Sequence, residues 1–156
     1  MRKGLLVLAA LAVVAALAVP AALAEKPIRE PLPADDFPIP ASICGFEVEV
    51  EFLANKGKAL IFSSGRVTVN GQLKVRLTNA DDATKSIVLN IPGPGFFDET
   101  GLTGTGPWVL FFEENEVGPG TPALLVFVHG RFRIDENGYT LLGGTEIDLC
   151  EMLASD

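Results

Sequence analysis

His129 is the one histidine in the chain, and histidine is the residue type that titrates near neutrality. A general base needs such a group with a carboxylate to orient it. Asn137-Gly138 reads as a two-residue hairpin turn of the primed type. Centred there, the hairpin sets Ile134 on Leu141, Val128 on Ile147 and Val126 on Leu149, apolar against apolar. The same register places His129 opposite Glu146, with Arg131 and Asp148 on that face. His129, Glu146 and Asp148 are therefore the candidate catalytic set. The competing reading is a cross-strand charged pair on a wet face, contributing roughly 0.2–1 kcal/mol. No serine lies in a nucleophile elbow, and pairing Cys44 with Cys150 leaves no free thiol, so a nucleophilic triad has no centre.

The aromatic residues form the second group. Phe62, Phe96, Phe97, Trp108, Phe111, Phe112, Phe127 and Phe132 could line a barrel that holds an apolar ligand, or simply fill it. Phe96-Phe97, between Pro92-Gly93-Pro94-Gly95 and Asp98-Glu99, is the best apolar contact point, with Trp108 as a further ligand-binding candidate. The loop from Glu113 to Pro122 is its acidic, flexible counterpart. Glu47, Glu49 and Glu51 line one side of a strand and could meet a cationic partner or calcium; the favoured reading is the wet face of an edge-like strand, where charge deters aggregation. Asp81-Asp82 with Asn79, and Asp135-x-Asn137-Gly138, carry oxygen ligands of the type calcium takes, but neither completes a calcium loop, and the second is a turn. One histidine and two distant cysteines make no zinc pattern. No metal or other cofactor is expected.

The elements that must position these residues are strands. After Cys44 the apolar period is two: Phe46 to Phe52 alternates strictly, as do Leu73 to Leu77 and Ile87 to Ile91. Trp108 to Phe112 is continuously apolar, the mark of a strand covered on both faces. Around Asn70-Gly71 a three-residue loop would set Val69 on Leu73 and Val67 on Val75. Gly130 and Gly143-Gly144 fall inside the long hairpin, where a bend or bulge would let the sheet curl. The expected fold is all-β, a small antiparallel β-barrel of about eight strands or a barrel-like sandwich, with no helix beyond a turn near Glu151 to Ala154.

Three segments make up the chain. Arg2 and Lys3, the apolar run Leu5 to Val19, Pro20 and the small-x-small Ala22-Leu23-Ala24 describe a signal peptide over residues 1–24. A retained anchor would have about 20 residues to span with, but the late proline and the paired alanines favour cleavage. Residues 25–43 contain five prolines and read as an extended tether. Residues 44–156 are one β domain. Removing Arg2 and Lys3 takes the net charge from −8 to −10. So acidic a domain repels nucleic acid and anionic lipid, which leaves an extracellular protein or a small apolar ligand as the expected partner. Export makes Cys44 and Cys150 a disulfide. Closing a loop of roughly 105 residues, it would contribute on the order of 4–5 kcal/mol. The two cysteines differ in strand parity, Cys44 with the inward Phe46, Val48 and Val50, and Cys150 with the polar Glu146 and Asp148.

The leader, the Pro-rich stretch, Cys44-Gly45-Phe46, Thr78-Asn79, Gly104-Thr105-Gly106, Val128-His129-Gly130-Arg131 and the closing Asp148-Leu149-Cys150 together resemble a group of short secreted bacterial proteins with a signal peptide and a terminal cysteine pair. The group carries no assigned activity, so the resemblance implies export and a disulfide and nothing about chemistry. Three functions are open at this point. The leading one is a secreted, non-catalytic module, outside the cell or on the exterior of the envelope, that binds a partner or small apolar ligand. The others are an enzyme with His129 as general base and a structural envelope protein. A deep pocket reaching His129 beside a buried carboxylate would favour the enzyme. A packed interior with His129 on an open face would favour the module.

Overall fold

The computed structural model describes residues 26–32 and 35–155. The leader expected over residues 1–24 lies outside the described residues. Eleven strands and two short helices follow one another: β1 (Ile28–Pro31), β2 (Phe37–Ile39), α1 (Ala41–Cys44), β3 (Val48–Asn55), β4 (Lys58–Ile61), β5 (Val67–Asn70), β6 (Leu73–Asn79), β7 (Asp82–Asn90), β8 (Gly95–Asp98), β9 (Gly101–Phe112), β10 (Leu124–Asp135), β11 (Gly138–Asp148) and α2 (Leu149–Leu153). All pairings are antiparallel. They form a seven-stranded sheet, β1-β4-β5-β8-β9-β10-β11, and a four-stranded sheet, β2-β3-β6-β7. The all-β, sandwich-like expectation holds. The closed eight-stranded barrel does not, because each sheet keeps two open edges.

The four-stranded sheet shows why alternation predicts strands. Phe37, Val50, Leu77 and Ile87 stand opposite one another in a row across all four strands. Phe52, Val75 and Leu89 form the next row. These rows meet Leu125 and the half-buried Val109 and Phe127 of the large sheet, with Leu149 and Leu153 of α2 closing one end. A fully buried aliphatic side chain contributes roughly 1.5–3 kcal/mol. The half-exposed Glu51–Arg76 ion pair on the outer face contributes at most about 1 kcal/mol, so the rows decide the fold. Asn79 lies in the inner face and is 2% exposed. Its Nδ2 donates to the Leu153 carbonyl at 2.9 Å and its Oδ1 accepts from Asp81 N, which ties α2 to this sheet.

The Pro-rich segment is not a free tether. β1 pairs with β4, and β2 with β3. Both are edge strands, where a proline's missing N–H can face solvent without breaking a ladder. The expected Asn70-Gly71 hairpin is also absent. β5 pairs with β4 and β8, β6 with β3 and β7, and the chain crosses from one sheet to the other at Gly71-Gln72. Cys44 and Cys150 are disulfide-bonded, with Cα atoms 5.1 Å apart. Their mismatched parity has a simple cause: each sits in a short helix, where the strand period does not apply.

The long hairpin forms, in a different register. Asp135 pairs with Gly138, leaving Glu136-Asn137 as the loop, and Ile134 pairs with Tyr139 rather than Leu141. Leu142 is then an extra residue, and beyond this bulge Val128 faces Glu146 and Val126 faces Asp148. Next to the bulge a row of glycines, Gly106, Gly130 and Gly144, runs across three strands. Here the backbones approach so closely that a Cβ on Gly130 would lie 2.1 Å from the Gly143 carbonyl oxygen, and Gly144 adopts φ 112°. A bulge with a glycine at positive φ bends a strand and increases its twist. The β9-β10-β11 meander curls there, so the 113–122 loop comes back to the β10–β11 turn, with Gly118 against Glu136 and Gly138. Trp108, Leu110, Phe112, Val126, Val128 and Phe132 pack inside the curl as a second core.

Two outcomes follow. Reducing the disulfide in native buffer lowers stability by about 4–5 kcal/mol, read as a fall in the denaturant midpoint; an unchanged midpoint contradicts the staple. Gly130→Ala costs about 1–3 kcal/mol through backbone overlap. Gly143→Ala, which meets nothing within 4 Å, leaves the thermal midpoint essentially unmoved. Equal effects of the two would rule out the bend at Gly130.

Candidate functional site: the cleft at the end of the curled sheet

The catalytic set expected around His129 is taken apart by the bulge. His129 pairs with Thr145. Opposite residues of an antiparallel pair share a face and neighbours along a strand alternate, so Glu146 and Asp148 point to the face opposite His129. A one-residue slip is enough to reverse every side chain. His129 is exposed, as is Arg131 beside it on the same face. Glu146 accepts a hydrogen bond from the Tyr139 hydroxyl at 2.5 Å. Asp148 caps α2, its Oδ1 accepting from Glu151 N at 3.1 Å. Both carboxylates therefore hold structure, and His129 has neither beside it.

The aromatic candidates separate too. Phe96 and Phe97 are 45% and 40% exposed and, as neighbours in β8, lie on opposite faces. Trp108 lies edge-on to Phe132 with ring centroids 5.5 Å apart. Its indole covers Gly93 and Gly95, and its Nε1 donates to the Thr105 carbonyl. Trp108 is a packing residue of the second core. Phe112 and Phe132 are buried in that core, and Phe62 lies under the Arg66 guanidinium.

Phe97 belongs to a larger feature. The pairings set Ile28, Ile61, Val67, Phe97, Leu102, Ile134 and Tyr139 opposite one another, an apolar row on one face of all seven strands. The next row on that face contains Phe132, so the row continues the face of the second core. The four-stranded sheet covers the other face. Towards β8 and β1 the row is therefore uncovered: Phe97 is 40% and Ile28 61% exposed.

Where the row crosses β8, β9 and β10 it forms the floor of an open cleft of about 930 Å³. Phe97, Leu102 and Ile134 lie on the floor and Val117 reaches in from the 113–122 loop. The rim consists of two turns and that loop, contributing Asp98 and Glu99, Asp135 and Glu136, and Glu116. Arg133 is the one cationic lining residue among the described residues, and its Nε donates to Asp135 Oδ2 at 2.8 Å. Its Nη2 donates to the Thr100 carbonyl, which links the two turns. Hydrogen bonds from the Thr100 hydroxyl and then its amide hold the Asp98 carboxyl below the usual aspartate range. Arg133, then the Asn137 amide, does the same for Asp135.

The acidic loop is tied rather than loose: Asn115 N donates to the Thr121 carbonyl, Gly120 N to Asn115 Oδ1, and Glu113 N to Glu116 Oε2. Leu102, Val117 and Arg133 were not singled out from the sequence, and Ile134 only for the hairpin register; Asp98-Glu99, the loop from Glu113 to Pro122 and the Asp135-x-Asn137-Gly138 turn were the readings that fell beside them. Among the described residues no group of three or more His, Cys, Asp or Glu is placed to hold a metal.

Tyr139, at the inner end of the row, is the chain's single tyrosine. Burial, then the hydrogen bond and charge of Glu146, raise its pKa. A group raised on folding stabilises the folded form fully below its unfolded pKa, about 10 for a phenol, and loses that contribution as pH climbs above it. Ultraviolet titration of the native protein is expected to show no tyrosinate step near pH 10, whereas Glu146→Gln brings the step downward. An ordinary step in the wild type would contradict the pairing. Comparison with known proteins finds no matching family model, no matching curated protein and no matching solved structure, so the cleft stands on its own geometry.

Proposed function

We propose that the chain is exported and acts outside the cytoplasm as a non-catalytic binding module, taking its partner in the cleft at the end of the curled sheet. The observation that carries this reading is the apolar row that crosses all seven strands and surfaces at Phe97. A large exposed apolar patch with a polar rim marks an interaction site. The disulfide and the lack of any helix among the described residues long and apolar enough to cross a membrane are compatible with export.

The interior supports the module over the carrier of a small enclosed ligand. Val48, Leu77, Leu125, Val128 and Phe132 are at most 1% exposed and fill the two cores with side chains. The enzyme reading loses its support with the separation of His129 from Glu146 and Asp148. A purely structural envelope protein would not need an open cleft with an apolar floor.

A fragment screen by nuclear magnetic resonance on the disulfide-intact, ¹⁵N-labelled protein tests this. Weakly bound aromatic fragments are expected to shift the amides of Phe97, Leu102, Val117 and Ile134. Shifts confined to His129 and Thr145 would return the enzyme reading and sink this one.

A further inference from the structure

Resting on that reading, we infer that the occupant of the cleft is an extended, cationic peptide segment of another protein, with an aliphatic or aromatic side chain on the Phe97–Leu102–Ile134 floor and lysine or arginine side chains against the rim. Two independent features carry this: an apolar floor left without a covering element, and a rim whose sign selects what can cover it.

The floor sets the first requirement. Phe97 and Leu102 are direct cross-strand partners, and Ile134 pairs with Leu102. The three side chains form a strip about three strands wide, roughly 10 Å at about 4.8 Å between strands. That width suits one or two apolar side chains of a peptide rather than a domain face. An open cleft also gives an extended segment room to enter and leave along the strip.

The rim sets the second. Five carboxylates face the cleft and its single guanidinium is already held by Asp135. Complementary potential steers encounter and rejects like charge at a cost of several kcal/mol. Nucleic acid and anionic lipid bring the wrong sign. A second copy meeting this cleft about a twofold axis would set one acidic rim against another, since such a contact uses the same patch twice. A cationic segment of another protein satisfies both features.

The probes are three synthetic peptides with the same pair of leucines, flanked by lysine, glutamine or glutamate. Binding to the disulfide-intact protein is followed by calorimetry at about 50 mM and about 300 mM salt. The lysine peptide is expected to bind most tightly and to weaken about tenfold at the higher salt. Glu99→Gln combined with Glu136→Gln weakens the lysine peptide about fivefold or more and leaves the glutamine peptide unchanged. Phe97→Ser weakens both. All three positions are exposed, and an unchanged thermal midpoint confirms that each variant folds.

If the glutamine or glutamate peptide binds as tightly as the lysine peptide and still depends on Phe97, the cationic partner is wrong and the binding cleft survives. If Phe97→Ser changes no peptide's affinity, the cleft itself is wrong. Sedimentation showing a dimer that Phe97→Ser dissolves, or Phe97-dependent binding to phosphatidylserine vesicles, would replace the peptide with a second copy or a membrane.

Discussion

The structure turns on the close approach of the β10 and β11 backbones at Gly130 and Gly144, in the glycine row that Gly106 continues into β9. β9 and β10 bear apolar side chains on both faces, and the four-stranded sheet is wide enough for only one. Leu125, Val109 and Phe127 meet that sheet. Trp108, Val126, Val128 and Phe132 face the other way and have no second layer. Left flat, they would expose several large side chains to water, each worth roughly 1.5–3 kcal/mol. The bend solves this inside one sheet. It brings Val117 and Tyr139 over Phe132 and Phe112, with Phe132 and Tyr139 ring centroids 6.2 Å apart. A side chain at Gly130 would overlap the Gly143 carbonyl and one at Gly104 the Phe132 ring, so the second core depends on glycine at both positions.

The same geometry explains which parts of the fold were legible. Val48 to Phe52 and Trp108 to Phe112 announced their strands because burial had written a period into them. The glycines at 130, 143 and 144 announced a bend. Register in β11 was not legible: residues 142 to 148 are all exposed, and an edge strand with no buried face carries no pattern to fix its partners. Assigning His129 to Glu146 needed the accuracy of one residue where the sequence supplied none. The β5–β6 crossing failed differently. Strands adjacent in sequence usually pair, and only the tertiary need to feed two sheets sends Leu73 away from Val69. The cleft was half legible. Asp135-x-Asn137-Gly138 marked a turn and Asp98-Glu99 stood beside Phe97, but bringing the 113–122 loop beside them required the curl.

Residues chosen for their chemistry became structural supports at the stapled end. Asp148 ends β11 by capping α2, which then presents Leu149 and Leu153 to the sandwich core and Cys150 to Cys44. Asn79 receives the other end of that helix through the Leu153 carbonyl. A five-residue helix has little stability of its own, since nucleation is unfavourable and most of its backbone groups lack internal partners. It persists because a cap, a disulfide, a buried amide and two leucines each hold it. Polar residues at strand ends have backbone donors and acceptors to satisfy, and that demand competes with any catalytic assignment made from residue type alone.

An open large sheet has a consequence that a closed barrel would not. Closure would pair β1 with β11 and turn the Ile28-to-Tyr139 row into a barrel lining, apolar and filled. The edges resist this. Arg29, Glu30 and Pro31 lie on β1, while β11 carries a bulge followed by Glu146 and Asp148; charge, proline and bulges are the devices that keep edges from pairing. Sheets so protected stay soluble with part of an apolar face uncovered. The uncovered part is confined to the arm beyond the curl, and the carboxylates of three connections stand at its mouth. Exposed apolar area is tolerable in a monomer when like-charged rims repel other copies. A carboxylate rim of this kind opposes self-association, and the same sign is what the proposed cationic partner would meet.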